Sequence, residues 1–103
     1  MVFRLRPRPG RAYLAGAPLL VAHRGGSRLA PENTMAAFES AVRDWGADML
    51  ELDVRLSKDG VVMVIHDDSV DRTTNGAGPV SAYTRQELKR LDAGYRFRDL
   101  DGD

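Results

Sequence analysis

Leu19 to Ala22 is an unbroken apolar run, preceded by Pro18 and followed by His23, Arg24, Gly25 and Gly26. A run this short, continuous and fenced by proline and glycine reads as a buried strand. Its end carries two chemically useful side chains. Histidine exchanges a proton near neutral pH. Arginine is a permanent cation whose planar fork fits phosphate or carboxylate oxygens. Two glycines then let the backbone turn sharply. Proton chemistry and anion binding thus adjoin at a strand end, where α/β proteins place their sites.

The rest of the chain supplies alternating elements. Residues 1–18 read as an irregular leader ahead of one partial domain over 19–103. Thr34 is placed to cap a helix to about Trp45, with Phe38, Ala41, Val42 and Trp45 as its buried stripe and Gly46 as its stop. Met49 to Leu56 alternates, with Leu50, Leu52, Val54 and Leu56 on one face and Glu51, Asp53 and Arg55 on the other. Asp59-Gly60 signals a turn, and Val61 to Ile65 is a second apolar run ending in His66, Asp67 and Asp68. A polar loop spans Val70 to Pro79. Thr84 and Glu87 form a capping-box pattern for a helix through about Leu91, closed by Gly94, and a charged tail follows Arg98. Strand, helix, strand, strand, loop and helix together predict an α/β class.

Composition narrows the function classes. The chain has 15 Lys plus Arg against 15 Asp plus Glu, a formal net charge of +0, so no global field favours nucleic acid or an anionic membrane. Arg4, Arg6, Arg8 and Arg11 cluster near the start, but Pro7, Pro9 and Gly10 interrupt them, as in a solvated tail. With no cysteine, disulfides, thiolate catalysis and thiolate metal sites are excluded. No apolar run approaches the ~20 residues of a membrane span. Tyr13 to Ala22 is apolar after basic residues, yet Pro18 interrupts it and cleavage beyond it would remove or strand His23. A cytoplasmic protein is the expectation.

Further groups bear on chemistry. Glu51 and Asp53, two positions apart on a strand, point to one face, and two like charges there suit a hard cation such as Mg²⁺ or Ca²⁺. An isolated Glu-x-Asp is also the ordinary outer face of an amphipathic strand. His66 ends an apolar run as His23 does, and these are the only 2 histidines. If Asp59-Gly60 closes a two-residue hairpin, paired positions sum to 119 and Asp53 faces His66. If the strands are parallel neighbours, both residues still lie near one carboxyl end. Glu32, just before the helix cap, either adds a carboxylate to the site or neutralises Arg24. Arg72 is placed to brace Asp67 or Asp68. Thr73 to Gly78 is glycine-rich but lacks the lysine and spacing of a phosphate loop, so it reads as a connector.

In order and spacing these segments resemble the glycerophosphodiester phosphodiesterase family. The motifs are Val21-Ala22-His23-Arg24-Gly25, Pro31-Glu32-Asn33-Thr34, Glu51-Leu52-Asp53-Val54, Lys58-Asp59-Gly60, His66-Asp67, Arg72-Thr73-Thr74-Asn75-Gly76 and Leu91-Asp92-Ala93-Gly94. The resemblance implies the amino-terminal portion of a (β/α)₈ barrel. It implies hydrolysis of glycerophosphodiesters to sn-glycerol 3-phosphate and an alcohol such as choline or ethanolamine. His23 and His66 would be the acid–base pair, His23 the acceptor and His66 the donor to the leaving alcohol. Arg24 would hold the phosphate, Glu51 and Asp53 the divalent cation, with Glu32 behind them. The partner is a small molecule, not nucleic acid.

Such a barrel takes about 250 residues, so 103 residues stop near the third strand and its helix. The family's third metal carboxylate would lie beyond Asp103. A truncated, catalytically incomplete fragment and a related phospholipase-like phosphodiesterase are the alternatives.

Overall fold

The computed structural model describes residues 2–3, 19–100 and 102. In chain order the elements are β1 (Val2–Phe3), β2 (Leu19–Ala22), α1 (Met35–Arg43), β3 (Met49–Leu50), β4 (Val54–Leu56), β5 (Val62–Val64) and α2 (Arg85–Leu88). They form one sheet in the order β1-β2-β3 and a second from β4 and β5.

The apolar run becomes β2, as expected. It pairs in parallel with β3, Val21 beside Met49 and Ala22 beside Leu50. Parallel neighbours need a crossover, and α1 supplies it. This β/α/β unit is the repeat of a (β/α)₈ barrel. The described residues form an α/β fragment that does not close one.

The leader expectation is corrected at Val2 and Phe3. They are not irregular but form β1, antiparallel to β2, with Val2 beside Leu20 and Phe3 beside Leu19. The open edge of β2 offers unpaired N–H and C=O groups to any extended segment. The leader's residues 4–18, with its arginine cluster, lie outside the described residues, as do residues 101 and 103 of the tail.

Thr34 caps α1 as expected, its hydroxyl accepting from Ala37 N–H at 3.2 Å. The helix ends at Arg43 rather than Trp45. Gly46 follows with φ 63°, the left-handed turn assigned to it. The buried stripe differs from the expected one. Ala37 and Ala41 are buried, whereas Val42 and Trp45 are 53% and 55% exposed. The reason is close approach: a Cβ on Gly25 would lie 2.7 Å from the Phe38 ring and 3.0 Å from Ala37. α1 sets Ala37 and the edge of the Phe38 ring against that glycine.

The expected single strand over Met49–Leu56 is two strands, because the chain changes partner in its middle. Glu51 N–H still donates to Ala22 C=O, continuing the parallel ladder. Two residues later Asp53 C=O accepts from Ile65 N–H at 2.9 Å and belongs to the hairpin. β4 and β5 pair antiparallel, with Val54 beside Val64 and Leu56 beside Val62. Paired positions therefore sum to 118, not 119. Asp53 faces Ile65, and His66 falls one position beyond it. The turn has three residues because Ser57 takes part: its N–H bonds Val61 C=O, its buried hydroxyl donates to Asp59 and accepts from Val61 N–H, and Gly60 adopts φ 76°. The hairpin's apolar residues are open to solvent, with Val54 52% and Leu56 60% exposed.

Buried apolar residues lie instead between β2 and α1, at Leu19, Ala22, Ala37 and Ala41, and under the loop at Val70 and Val80, both almost fully buried. Thr74 donates its hydroxyl to Val70 C=O at 2.7 Å and accepts from Gly76 N–H at 3.0 Å. Thr73–Gly78 is thus a hydrogen-bonded connector, as its composition suggested. Thr84 caps α2, accepting from Glu87 N–H at 3.2 Å. α2 ends at Leu88, and single turns carry the chain to Leu91. Gly94 is not left-handed; its N–H donates to Asp92 at 2.9 Å.

Candidate active site

The parallel ladder delivers Glu51 to the end of β2, where His23–Gly25 form a tight turn. Arg24 takes φ 51°, a left-handed conformation uncommon outside glycine, and Gly25 and Gly26 follow at 76° and 92°. Such a conformation persists where its surroundings enforce it. Arg24 N–H donates to Glu51 Oε2 at 2.9 Å, and its C=O accepts from Asn33 N–H at 2.8 Å. His23 Nε2 lies 3.9 Å from the same Glu51 oxygen. Both side chains are partly open to solvent.

Asn33 organises the second carboxylate. It is buried and left-handed, with φ 57°. Its Nδ2 donates to Asp53 Oδ2 at 3.1 Å and its Oδ1 accepts from Asp53 N–H at 3.4 Å. Arg24 Nε lies 3.6 Å from Asp53 Oδ2 and is buried without a hydrogen-bond acceptor. Arg24 Nη1 reaches both Glu32 oxygens only at 3.4 Å. Ordinary N–H···O bonds span about 2.7–3.2 Å. The Arg24 guanidinium is therefore loosely held and keeps donor capacity for an oxyanion.

Glu32's main partner is another arginine. Arg72 Nη2 donates to Glu32 Oε1 at 2.6 Å and Nη1 to Oε2 at 3.1 Å. The same guanidinium donates to Asp67 through Nε at 2.8 Å and Nη2 at 3.1 Å. Asp67 in turn meets His66 Nδ1 at 2.8 Å. These bonds leave Asp67 far below the ordinary carboxylate range, chiefly through Arg72 and next through His66. Arg72 likewise lowers the Glu32 carboxyl against the opposing effect of burial, and its own proton is held more tightly. The Arg55 guanidinium holds the His66 carbonyl with bonds of 3.0 and 2.9 Å.

The structure thus gathers His23, Arg24, Glu32, Glu51 and Asp53 around one turn. His66 makes no hydrogen bond or ion pair with Glu51 or Asp53. It joins the group through Asp67, Arg72 and Glu32. Of the alternatives open for Glu32, it pairs with Arg24, but weakly, and bridges to Arg72. Arg72 does brace Asp67. Sequence reasoning missed Asn33 and Arg55 as site residues. A left-handed asparagine beside a cap is recognisable as a turn residue, but its grip on Asp53 spans 20 residues. Glu51 Oε1 and Asp53 Oδ1 carry no hydrogen bond among the described residues, so two hard oxygen donors are available. No cluster of three or more metal-binding side chains occurs among those residues. The pair fits part of a hard-cation coordination sphere, which takes six or more oxygens.

Comparison with known proteins identifies the family. Residues 23–102 match the family model described as Glycerophosphoryl diester phosphodiesterase family. A glycerophosphodiester phosphodiesterase of Caldanaerobacter subterraneus is 58% identical over 79 residues, 77% of this chain and 32% of that protein. The chain therefore spans about a third of the length of such curated relatives. The solved glycerophosphodiester phosphodiesterase from Agrobacterium tumefaciens superposes with a TM-score of 0.73 at 56% identity, covering 77% of this chain and 34% of that one. An Oleispira antarctica phosphodiesterase, solved in complex with the product sn-glycerol-3-phosphate, gives a TM-score of 0.70 at 41% identity, covering 80% and 33%. With four-fifths of its residues matched in sequence and the same local fold, the chain belongs to the glycerophosphoryl diester phosphodiesterase family.

Proposed function

We propose that this site serves a phosphodiester hydrolase, cleaving glycerophosphodiesters to sn-glycerol 3-phosphate and an alcohol in glycerophospholipid breakdown. The observation that carries the reading is convergence within a family match: His23, Arg24, Glu51 and Asp53 lie around one strained turn. The product bound to the Oleispira relative supports the substrate class.

Arg24 binds a phosphoryl oxygen with the donors that Glu32 and Asp53 leave underused. His23, beside Glu51, takes a proton from the attacking oxygen at a ring nitrogen as the new P–O bond forms. His66 gives a proton from Nε2 to the leaving alcohol oxygen as the old P–O bond breaks; Nδ1 is committed to Asp67. Glu51 and Asp53 would hold a divalent cation, Ca²⁺ or Mg²⁺. Such an ion, when bound, polarises the phosphoryl oxygen and offsets developing charge.

The test is release of glycerol 3-phosphate from glycerophosphocholine, with and without a chelator. His23→Ala and His66→Ala should each lower turnover about 10²–10⁴-fold. Turnover undiminished by either change would overturn the assigned roles, and indifference to chelation would overturn the cation.

A further inference from the structure

Among the described residues, Arg72 is the side chain that touches both halves of the site. Its guanidinium reaches Glu32 at 2.6 Å, and Glu32 also faces the phosphate-holding Arg24. It reaches Asp67 at 2.8 Å, and Asp67 meets His66. We propose that Arg72 is a positioning residue, whose fork locks Asp67 onto His66 Nδ1 and, through Glu32, sets His66 in register with Arg24. The inference rests on the hydrolase reading for its consequence, but its physical content concerns only these side chains.

The argument is one of donors and acceptors. A carboxylate bonded by Arg72 stays ionised and can only accept. The 2.8 Å contact therefore requires the proton on His66 Nδ1, which leaves Nε2 as the exchangeable position. Without Arg72, Asp67 loses two bonds and is free to rotate, and nothing else among the described residues fixes the tautomer. Glu32 loses its short partners and falls back on Arg24, tightening a contact that is now slack at 3.4 Å. An arginine suits this bridge because its donors form a rigid planar fork; a lysine has the charge but cannot span two carboxylates with paired bonds. The bridge joins residues 40 apart in sequence, Glu32 before α1 and Arg72 after β5.

The experiment is ¹⁵N NMR of the imidazole nitrogens in this chain, at a pH where His66 is neutral. Wild type should show the Nδ1–H form. Arg72→Gln and Arg72→Lys should shift His66 toward the Nε2–H form, with Asp67→Asn as the reference for a lost acceptor and His23 unmoved. In the hydrolysis assay Arg72→Lys should fail to restore what Arg72→Gln loses, about 10–100-fold in kcat, the usual cost of an orienting partner. A wild-type His66 in the Nε2–H form would overturn the proposal with no variant needed, as would an unchanged tautomer in folded Arg72→Gln. If the tautomer responds to Arg72 but no glycerophosphodiester is hydrolysed, the positioning role stands and the hydrolase reading falls.

Discussion

Arg24 meets Glu51 with its backbone, not its side chain: the amide N–H donates to Oε2 at 2.9 Å. Arg24 makes this contact in the left-handed conformation, with φ 51°. Its guanidinium approaches Asp53 and Glu32 instead. The same Glu51 oxygen lies 3.9 Å from His23. One carboxylate therefore holds the turn and lies beside the imidazole.

Asn33 should prove costly to replace. Asn33→Gly tolerates φ 57° but removes both bonds to Asp53; Asn33→Ala removes the bonds and adds backbone strain. The glycine variant should lose about 1–3 kcal/mol for the unmade buried bonds, and the alanine variant roughly 1 kcal/mol more. Urea denaturation of the two variants separates these contributions. Equal losses would mean that strain at this position is negligible.

Gly25 and Gly26 share positive φ but differ in their surroundings. A Cβ at Gly25 would meet the Phe38 ring at 2.7 Å, while one at Gly26 meets nothing within 4 Å. Gly25→Ala should therefore destabilise more than Gly26→Ala, by the roughly 1–3 kcal/mol typical of overpacking. Thermal melts of the two variants give the comparison.

Acid should weaken the fold through the arginine bridge. Folding lowers the carboxyls of Glu32 and Asp67, so both favour the ionised state in the native protein. Their stabilisation is present above the unfolded carboxylate values, about 4, and is lost as pH falls through the lower folded values. Denaturation midpoints should drop below about pH 4 in wild type. The drop should be shallower in Arg72→Gln, which has already lost the shared partner. Parallel acid profiles would argue against the bridge.

Burial predicts opposite responses at two similar residues. Val70 is 0% exposed and Leu56 60%. Val70→Ala should cost about 1.5–3 kcal/mol, the loss of a buried side chain, whereas Leu56→Ala should stay within about 0.5 kcal/mol. Denaturant midpoints of this chain decide it.

The local pieces were legible because they depend on near neighbours. Pro18 and the glycines bound β2. Thr34 and Thr84 cap helices three residues ahead of the amides they accept from. Glu51 and Asp53 stand on one stretch beside the β2 end. Burial was less legible: the apolar pattern marks faces that can be covered, but not which are. Val42, Trp45, Val54 and Leu56 follow the pattern and are exposed, while Ala37 and Ala41 are buried, Ala37 against Gly25.

The amino-acid sequence by itself determined the first buried strand, the two helices and their caps, and the identity of the histidine, arginine and carboxylate groups at strand ends. Each is a matter of short-range sterics, hydrogen bonding and residue chemistry. Only the tertiary structure decided the hairpin register, where one extra turn residue around Ser57 put Asp53 opposite Ile65 instead of His66. It alone decided that Asn33 grips Asp53 and that Arg72 joins Glu32 to Asp67, bonds across 20 and 40 residues that no local pattern encodes. Long-range pairing depends on how strands and loops stack in space, and a single-residue shift in register changes which side chains meet.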